Sequence, residues 1–243
     1  MTIVAVEILF AKGESMKLFI ILLFAWPKAY SETQAFEAVA WNKGEVAYLE
    51  RHSLSYEGPT LIQSLTEYLD FEGKSIGAMK SNYTQSLSAP EYTFRDKRHQ
   101  KLQGLRWLDK KLDIFTQSSK KAKVVHQTLQ IEPTEVQIAG PGLIYYIGSH
   151  LDQIIKAHIL NFKYVIPGRT EMFEFVIETI QHNQRVAEFE VKMRALPMRY
   201  FGPRLKLIYS VQKKRVLFYE GPSFLRDKDG KMMSVKIEYK YPD

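Results

Sequence analysis

Phe36-Glu-Ala-Val-Ala-Trp41, Asn42-Lys43-Gly44 and, after Glu45, Val46-Ala-Tyr-Leu-Glu-Arg-His52 form one continuous stretch. Two apolar-rich runs joined by a short Asn/Gly segment are the signature of a β-hairpin. The same grammar continues downstream. Leu61–Leu69 leads through Asp70-Phe-Glu-Gly73 into Ser75–Tyr83, and further β-like runs fall at 103–107, 112–117, 123–130 and 136–139. Turn signals every 8 to 14 residues or so describe an antiparallel meander.

One segment departs from that period. After Gly140-Pro-Gly142, apolar residues stand at Leu143, Ile144, Ile147, Leu151, Ile154, Ile155 and Ile159. Steps of three and four predict an amphipathic helix over about 142–159, apolar enough to be buried against a sheet. Strand patterns resume at 163–166, 172–180, 185–193, 204–211, 215–219 and 232–239, with a short turn or helix expected at 196–203. Nothing in the composition marks a linker, so residues 32–243 read as a single β-rich domain.

The chain contains an internal echo. Tyr56-Glu-Gly-Pro-Thr-Leu61 precedes Asp70-Phe-Glu-Gly-Lys74, and Tyr219-Glu-Gly-Pro-Ser-Phe224 precedes Asp227-Lys-Asp-Gly-Lys231. Each reads as a strand end, a Gly-Pro corner and an acidic-Gly turn into another strand. The intervals differ, which excludes a solenoid period. Turn chemistry used twice explains the echo better than a duplicated unit.

The beginning of the chain supplies an address. Lys17 precedes the apolar run Leu18–Trp26, and Ala29 and Ser31 form a small-x-small site, the pattern of an export signal cleaved after Ser31. The run is far shorter than the roughly 20 residues of a spanning helix. Residues 1–31 are therefore expected to be a signal peptide. Met16 is its expected true start, since Lys12-Gly13-Glu14 can be encoded by a purine-rich ribosome-binding sequence. Export to a bacterial periplasm, or secretion, follows.

There is no cysteine among the 243 residues. Disulfides are thus excluded, as is the acylated cysteine of a lipoprotein, and stability must come from packing and strand pairing. The formal net charge is +7, and the three lysines and two glutamates of residues 1–31 account for one unit of it. That balance favours anionic partners weakly.

The C-terminal stretch Lys214-Arg-Val-Leu-Phe-Tyr-Glu-Gly-Pro-Ser-Phe-Leu-Arg-Asp-Lys-Asp-Gly-Lys231 resembles a recurring ending of uncharacterised exported bacterial proteins. Asp70–Ile76, followed by Pro90-Glu-Tyr-Thr-Phe-Arg-Asp-Lys-Arg98, resembles the same group. The resemblance implies no known activity. More loosely, many strands, an apolar helix and an export signal are similar to the curved half-barrels of periplasmic lipoprotein carriers. That likeness implies a bent antiparallel sheet with the main helix on its concave face and room for acyl chains.

The familiar chemistries are missing from the pattern. His52, His99, His126, His150, His158 and His182 are scattered without metal-ligand spacing. Asp227-Lys-Asp-Gly230 lacks the later ligands of a calcium loop and reads as an Asp-Gly turn. Neither a nucleophile elbow nor a phosphate-cradling loop is present. No catalytic residue, metal ligand or cofactor is assigned, and no nucleic-acid motif accompanies the positive charge.

Two residue sets remain. Leu143, Ile147, Leu151, Ile155, Phe173 and Phe175 are the candidates for lining an apolar cavity. Within the basic region 95–123, where Trp107 and Phe115 are interleaved, Arg98, Lys101, Lys110 and Lys111 are the candidates for contact with an anionic surface. The functional expectation is non-catalytic binding of a lipid or other apolar molecule in the periplasm. The alternatives are an envelope hydrolase or a structural, partner-binding envelope protein.

Overall fold

A computed structural model describes residues 31–131, 136–169, 171–197, 202 and 204–242. The expected leader lies outside the described residues except for Ser31, whose backbone opens the first strand, and the segment expected at 196–203 is described only in part.

The hairpin that opens the sequence argument is present. β1 (Ser31–Asn42) and β2 (Glu45–Glu57) pair antiparallel with Asn42 opposite Glu45. The two residues between them, Lys43 and Gly44, have φ of 51° and 87°. Two positive φ values make the two-residue turn whose twist matches that of its strands. β3 (Thr60–Leu69), β4 (Ser75–Asn82), β5 (Glu91–Asp96), β6 (Lys101–Leu108), β7 (Lys111–Gln117) and β8 (Val125–Gln130) continue the meander.

A second run follows: β9 (Gln137–Ala139), two helices, β10 (Ile159–Val165), β11 (Met172–His182), β12 (Val186–Met193), β13 (Arg204–Ser210), β14 (Arg215–Arg226) and β15 (Met232–Lys240). All form one 15-stranded sheet in the order 8-7-6-5-4-3-2-1-15-14-13-12-11-10-9. β1 and β15 join the two runs, with Glu37 opposite Lys240 and Trp41 opposite Lys236. Described pairings are antiparallel except β9 with β10, the one parallel pair, which the helices connect.

Chain connectivity forces the sheet to curl. Laid flat, 15 strands would span about 67 Å. Yet Gln130 ends one edge strand and Gln137 begins the other, a separation that covalent geometry limits to about 25 Å. The sheet is therefore curved and open, and its walls meet across the interior. Phe94 of β5 lies 5.5 Å from Phe224 of β14. Ala139 donates its N–H to the Ser88 carbonyl at 2.9 Å, bringing the β9 edge against the loop before β5.

Strand alternation fills that interior. Ala187, Phe189, Val191 and Met193 are the buried residues of β12, and Tyr92 and Phe94 do the same on β5. One buried cluster joins Tyr48, Tyr68, Phe94, Leu112, Val165 and Leu225, and a second joins the helices to β11, β12 and β13.

The single helix expected over 142–159 is two: α1 (Gly142–Ser149) and α2 (Leu151–Ala157), with β10 beginning at Ile159. The break is at His150, with φ −110° and ψ 18°. Ser149 Oγ donates to the Tyr146 carbonyl at 3.0 Å, and His150 Nδ1 lies at the same distance from it. The Tyr146 carbonyl also keeps the helical bond from the His150 N–H at 3.0 Å, so these side-chain contacts gather on the last acceptor of α1. A Cβ on Gly142 would stand 1.9 Å from the Ser88 carbonyl oxygen, so the Gly-Pro-Gly corner lets α1 start against that loop.

The echo separates into a common half and a divergent half. Asp70 Oδ1 accepts from the N–H groups of Glu72 and Lys74, and Asp227 Oδ1 accepts from those of Asp229 and Lys231. These two turns are built alike. The Gly-Pro steps are not: Gly58-Pro59 turns β2 into β3, whereas Gly221-Pro222 runs on inside β14, followed by a register shift. The corner expected at 221–222 is thus an irregular strand.

Candidate functional site

On the face turned away from the core, β2 to β7 bear a groove of about 680 Å³. Its floor follows one row of register: Ser53 opposite Leu65, Leu65 opposite Lys80, Lys80 opposite Thr93, Thr93 opposite Gly104 and Gly104 opposite Phe115. Ser55, Gln63, Asn82, Glu91 and Arg106 flank that row and line the same groove. The outward positions of five strands thus contribute hydroxyls, amides and two cations to one surface. The volume falls within the range of small-molecule sites.

Gly104 gives the groove its aromatic element. A Cβ there would lie 2.2 Å from the Tyr92 carbonyl oxygen and 2.3 Å from Phe115 Cζ. The Phe115 ring therefore reaches from β7 across β6, into space that any larger residue would fill.

One oxygen of Glu91 and both of Asp113 are already engaged. Glu91 Oε1 accepts the Trp107 N–H at 3.0 Å. Asp113, 2% exposed although on the outer face, accepts from Arg106 Nε at 2.7 Å and faces His126 Nδ1 at 3.0 Å. The cations keep spare capacity: Arg106 spends only its Nε there, and Lys80 has no hydrogen bond or ion pair among the described residues. The groove thus keeps free donors on Lys80 and Arg106 and one unpartnered carboxylate oxygen, Glu91 Oε2, among the described residues.

A second polar group lies on the buried face of β2 and β3. His52 Nε2 meets Glu50 Oε2 at 2.8 Å, and its Nδ1 meets Thr66 Oγ1 at 2.9 Å. Phe36 stacks on the imidazole at 4.4 Å and 8°. All three polar residues are buried. The order hydroxyl, imidazole, carboxylate matches a nucleophilic triad. Its enclosure and its stacking on Phe36 match a satisfied polar bridge between strands.

Tyrosines surround this bridge. Burial raises Tyr48 and Tyr68 well above the ordinary phenol value, and the Glu50 charge adds to the effect. Burial also pushes Tyr164 up to about 12, against the opposing hydrogen bond to Gly140.

The six residues expected to line an apolar cavity are brought together. Leu143, Ile147, Leu151 and Phe175 are buried, and Ile155 and Phe173 pack against them as half-buried neighbours. They share the cluster with Ile138, Phe189 and Leu207, and none of them lines the groove.

The four cations expected to meet an anionic surface are divided. Arg98 donates to the Arg226 carbonyl at 2.6 Å near half-buried Lys101, whereas exposed Lys110 and Lys111 lie beyond the other end of β6. Eight residues of strand put the pairs about 24 Å apart. Among the described residues no cluster of three or more metal-ligating side chains occurs, and no helix is long and apolar enough to cross a membrane.

Arg106 and Phe115 belong to the basic region 95–123, far in sequence from Ser53, Gln63 and Lys80. Alternation marks each of these residues as outward on its own strand, and only the register between strands joins them.

Neither a family model nor a curated protein matches the chain. Among solved structures it is similar to a β-barrel-like protein of the domain of unknown function DUF1849 from Brucella abortus. The sequence identity is 7%, the TM-score 0.40, and the match covers 87% of this chain and 97% of that one.

Proposed function

We propose that this chain is a non-catalytic binding protein of the bacterial envelope, and that its ligand is a saccharide held in the outer groove. The observation that carries the reading is that the hydroxyls of Ser53, Ser55 and Thr93 and the amides of Gln63 and Asn82 line one groove with the Phe115 ring. A sugar offers hydroxyls that both donate and accept, and C–H faces that pack on an aromatic ring. Ser53, Ser55 and Thr93 rotate their hydroxyls to suit either role. Export from the cytoplasm, inferred from residues 17–31, would bring the groove to the glycans of the envelope.

A titration of the labelled protein with maltotetraose, followed by amide chemical shifts, tests this. Shifts at the groove residues of β2 to β7 are expected, with Phe115→Ala weakening the interaction about tenfold, close to 1.4 kcal/mol. Unmoved amides at millimolar sugar would sink the reading.

The apolar-ligand reading keeps one observation in its favour, the convergence of Leu143, Ile147, Leu151, Ile155, Phe173 and Phe175 in one cluster. In that version the helices lie on the concave side of a half-barrel, and an acyl chain enters by displacing them. Native mass spectrometry of protein from the periplasm discriminates the two. Releasable lipid mass favours the interior, and an empty ion that gains sugar favours the groove.

A further inference from the structure

We infer that the saccharide is acidic, with a carboxylate seated between Lys80 and Arg106; this rests on the groove being a sugar site. Both cations line the groove, two strands and two residues apart. That offset places their Cα atoms about 12 Å apart, a span the two long side chains close to the width of a sugar ring or two. Among the described residues Lys80 has no ion pair, and Arg106 meets Asp113 through Nε alone. Glu91 spends one oxygen on the Trp107 backbone N–H, and the other has no partner among the described residues.

Arg106 is thereby fixed at one end by a buried carboxylate, while its terminal N–H groups remain for a ligand. A planar guanidinium held in this way suits a carboxylate, and Lys80 adds a mobile point charge. Neutral sugars would leave these donors to water. An acidic sugar uses them, and its hydroxyls take Ser53, Ser55 and Thr93 of the same groove.

The test uses tetragalacturonate and its fully methyl-esterified form, which share a skeleton and differ in charge. Calorimetry at low salt is expected to show the acid binding at least tenfold tighter. That advantage should shrink in 500 mM NaCl and in Lys80→Gln, whose site is exposed. Equal affinity for acid and ester overturns the inference but leaves the sugar groove standing. Failure of both to bind overturns the two together. Anionic lipid vesicles bound in a Lys80-dependent manner, with no response to either sugar, would assign the cations to a headgroup and overturn the inference as well.

Discussion

Gly104 cannot become alanine without moving backbone. The phenyl ring of Phe115 could swing away from a new methyl group, but the Tyr92 carbonyl at 2.2 Å belongs to the neighbouring strand. Gly104→Ala is expected to cost about 1–3 kcal/mol and to displace the ring from the groove. Urea denaturation reads the first effect, and loss of sugar-induced shifts reads the second. A neutral midpoint would mean that β5 and β6 are less tightly bound than they look.

Buried side chains offer a second residue-scale prediction. In His52→Ala, Glu50 and Thr66 both lose the partner they meet at 2.8 and 2.9 Å. A loss of about 3 kcal/mol is expected, the range for breaking one member of a buried charged or polar set. Sugar binding should persist, because His52 is on the other face. Abolished binding in a folded variant would bring the imidazole into function.

Among the elements, the most legible from sequence were hairpins closed by turn residues. Asn42-Lys43-Gly44 and the two Asp-Gly turns carry their geometry in three or four adjacent positions. β5 was harder to see. Glu91, Thr93 and Arg95 are its outward residues, and Tyr92 and Phe94 alone carry its apolar signal. The helix break at His150 was hidden for a different reason: apolar spacing runs straight through it, and the change is in the His150 backbone, at φ −110° and ψ 18°.

The groove was not legible at all, although its alternation was. Its row spans β2 to β7 from Ser53 to Phe115, and register between strands is set by turns and bulges rather than by any local pattern. The helical cluster, in contrast, announced itself by its period. Ile147 is fully buried in it, so Ile147→Ala is expected to cost about 2–5 kcal/mol in chemical denaturation. A change below 1 kcal/mol would indicate that the cluster is loose enough to admit a ligand.

For the molecule as a whole, the buried tyrosines are expected to set the alkaline limit. Their folded values are raised, so the native state holds its phenolic protons more firmly than the unfolded chain does. This contribution is fully present below pH ~10, the ordinary tyrosine value, and is lost as pH rises through the folded values, about 12 for Tyr164. Absorbance at 295 nm and far-ultraviolet dichroism should therefore change together above pH 10. Full phenolate absorbance with the strands still intact would contradict the burial of Tyr48 and Tyr68.

The joint between β1 and β15 also has a kinetic meaning. Hairpins such as β1–β2 close over a few residues, but Glu37 and Lys240 are partners across some two hundred. Closing a loop of that length before any other contact forms costs about 3–4 kcal/mol more in chain entropy than closing a hairpin. Each meander can instead grow from neighbour to neighbour, leaving two half-sheets whose free edges wait for each other. The seam between them is then the late event of folding, and an unzipped β1 or β15 is the edge through which two copies of the chain could exchange halves.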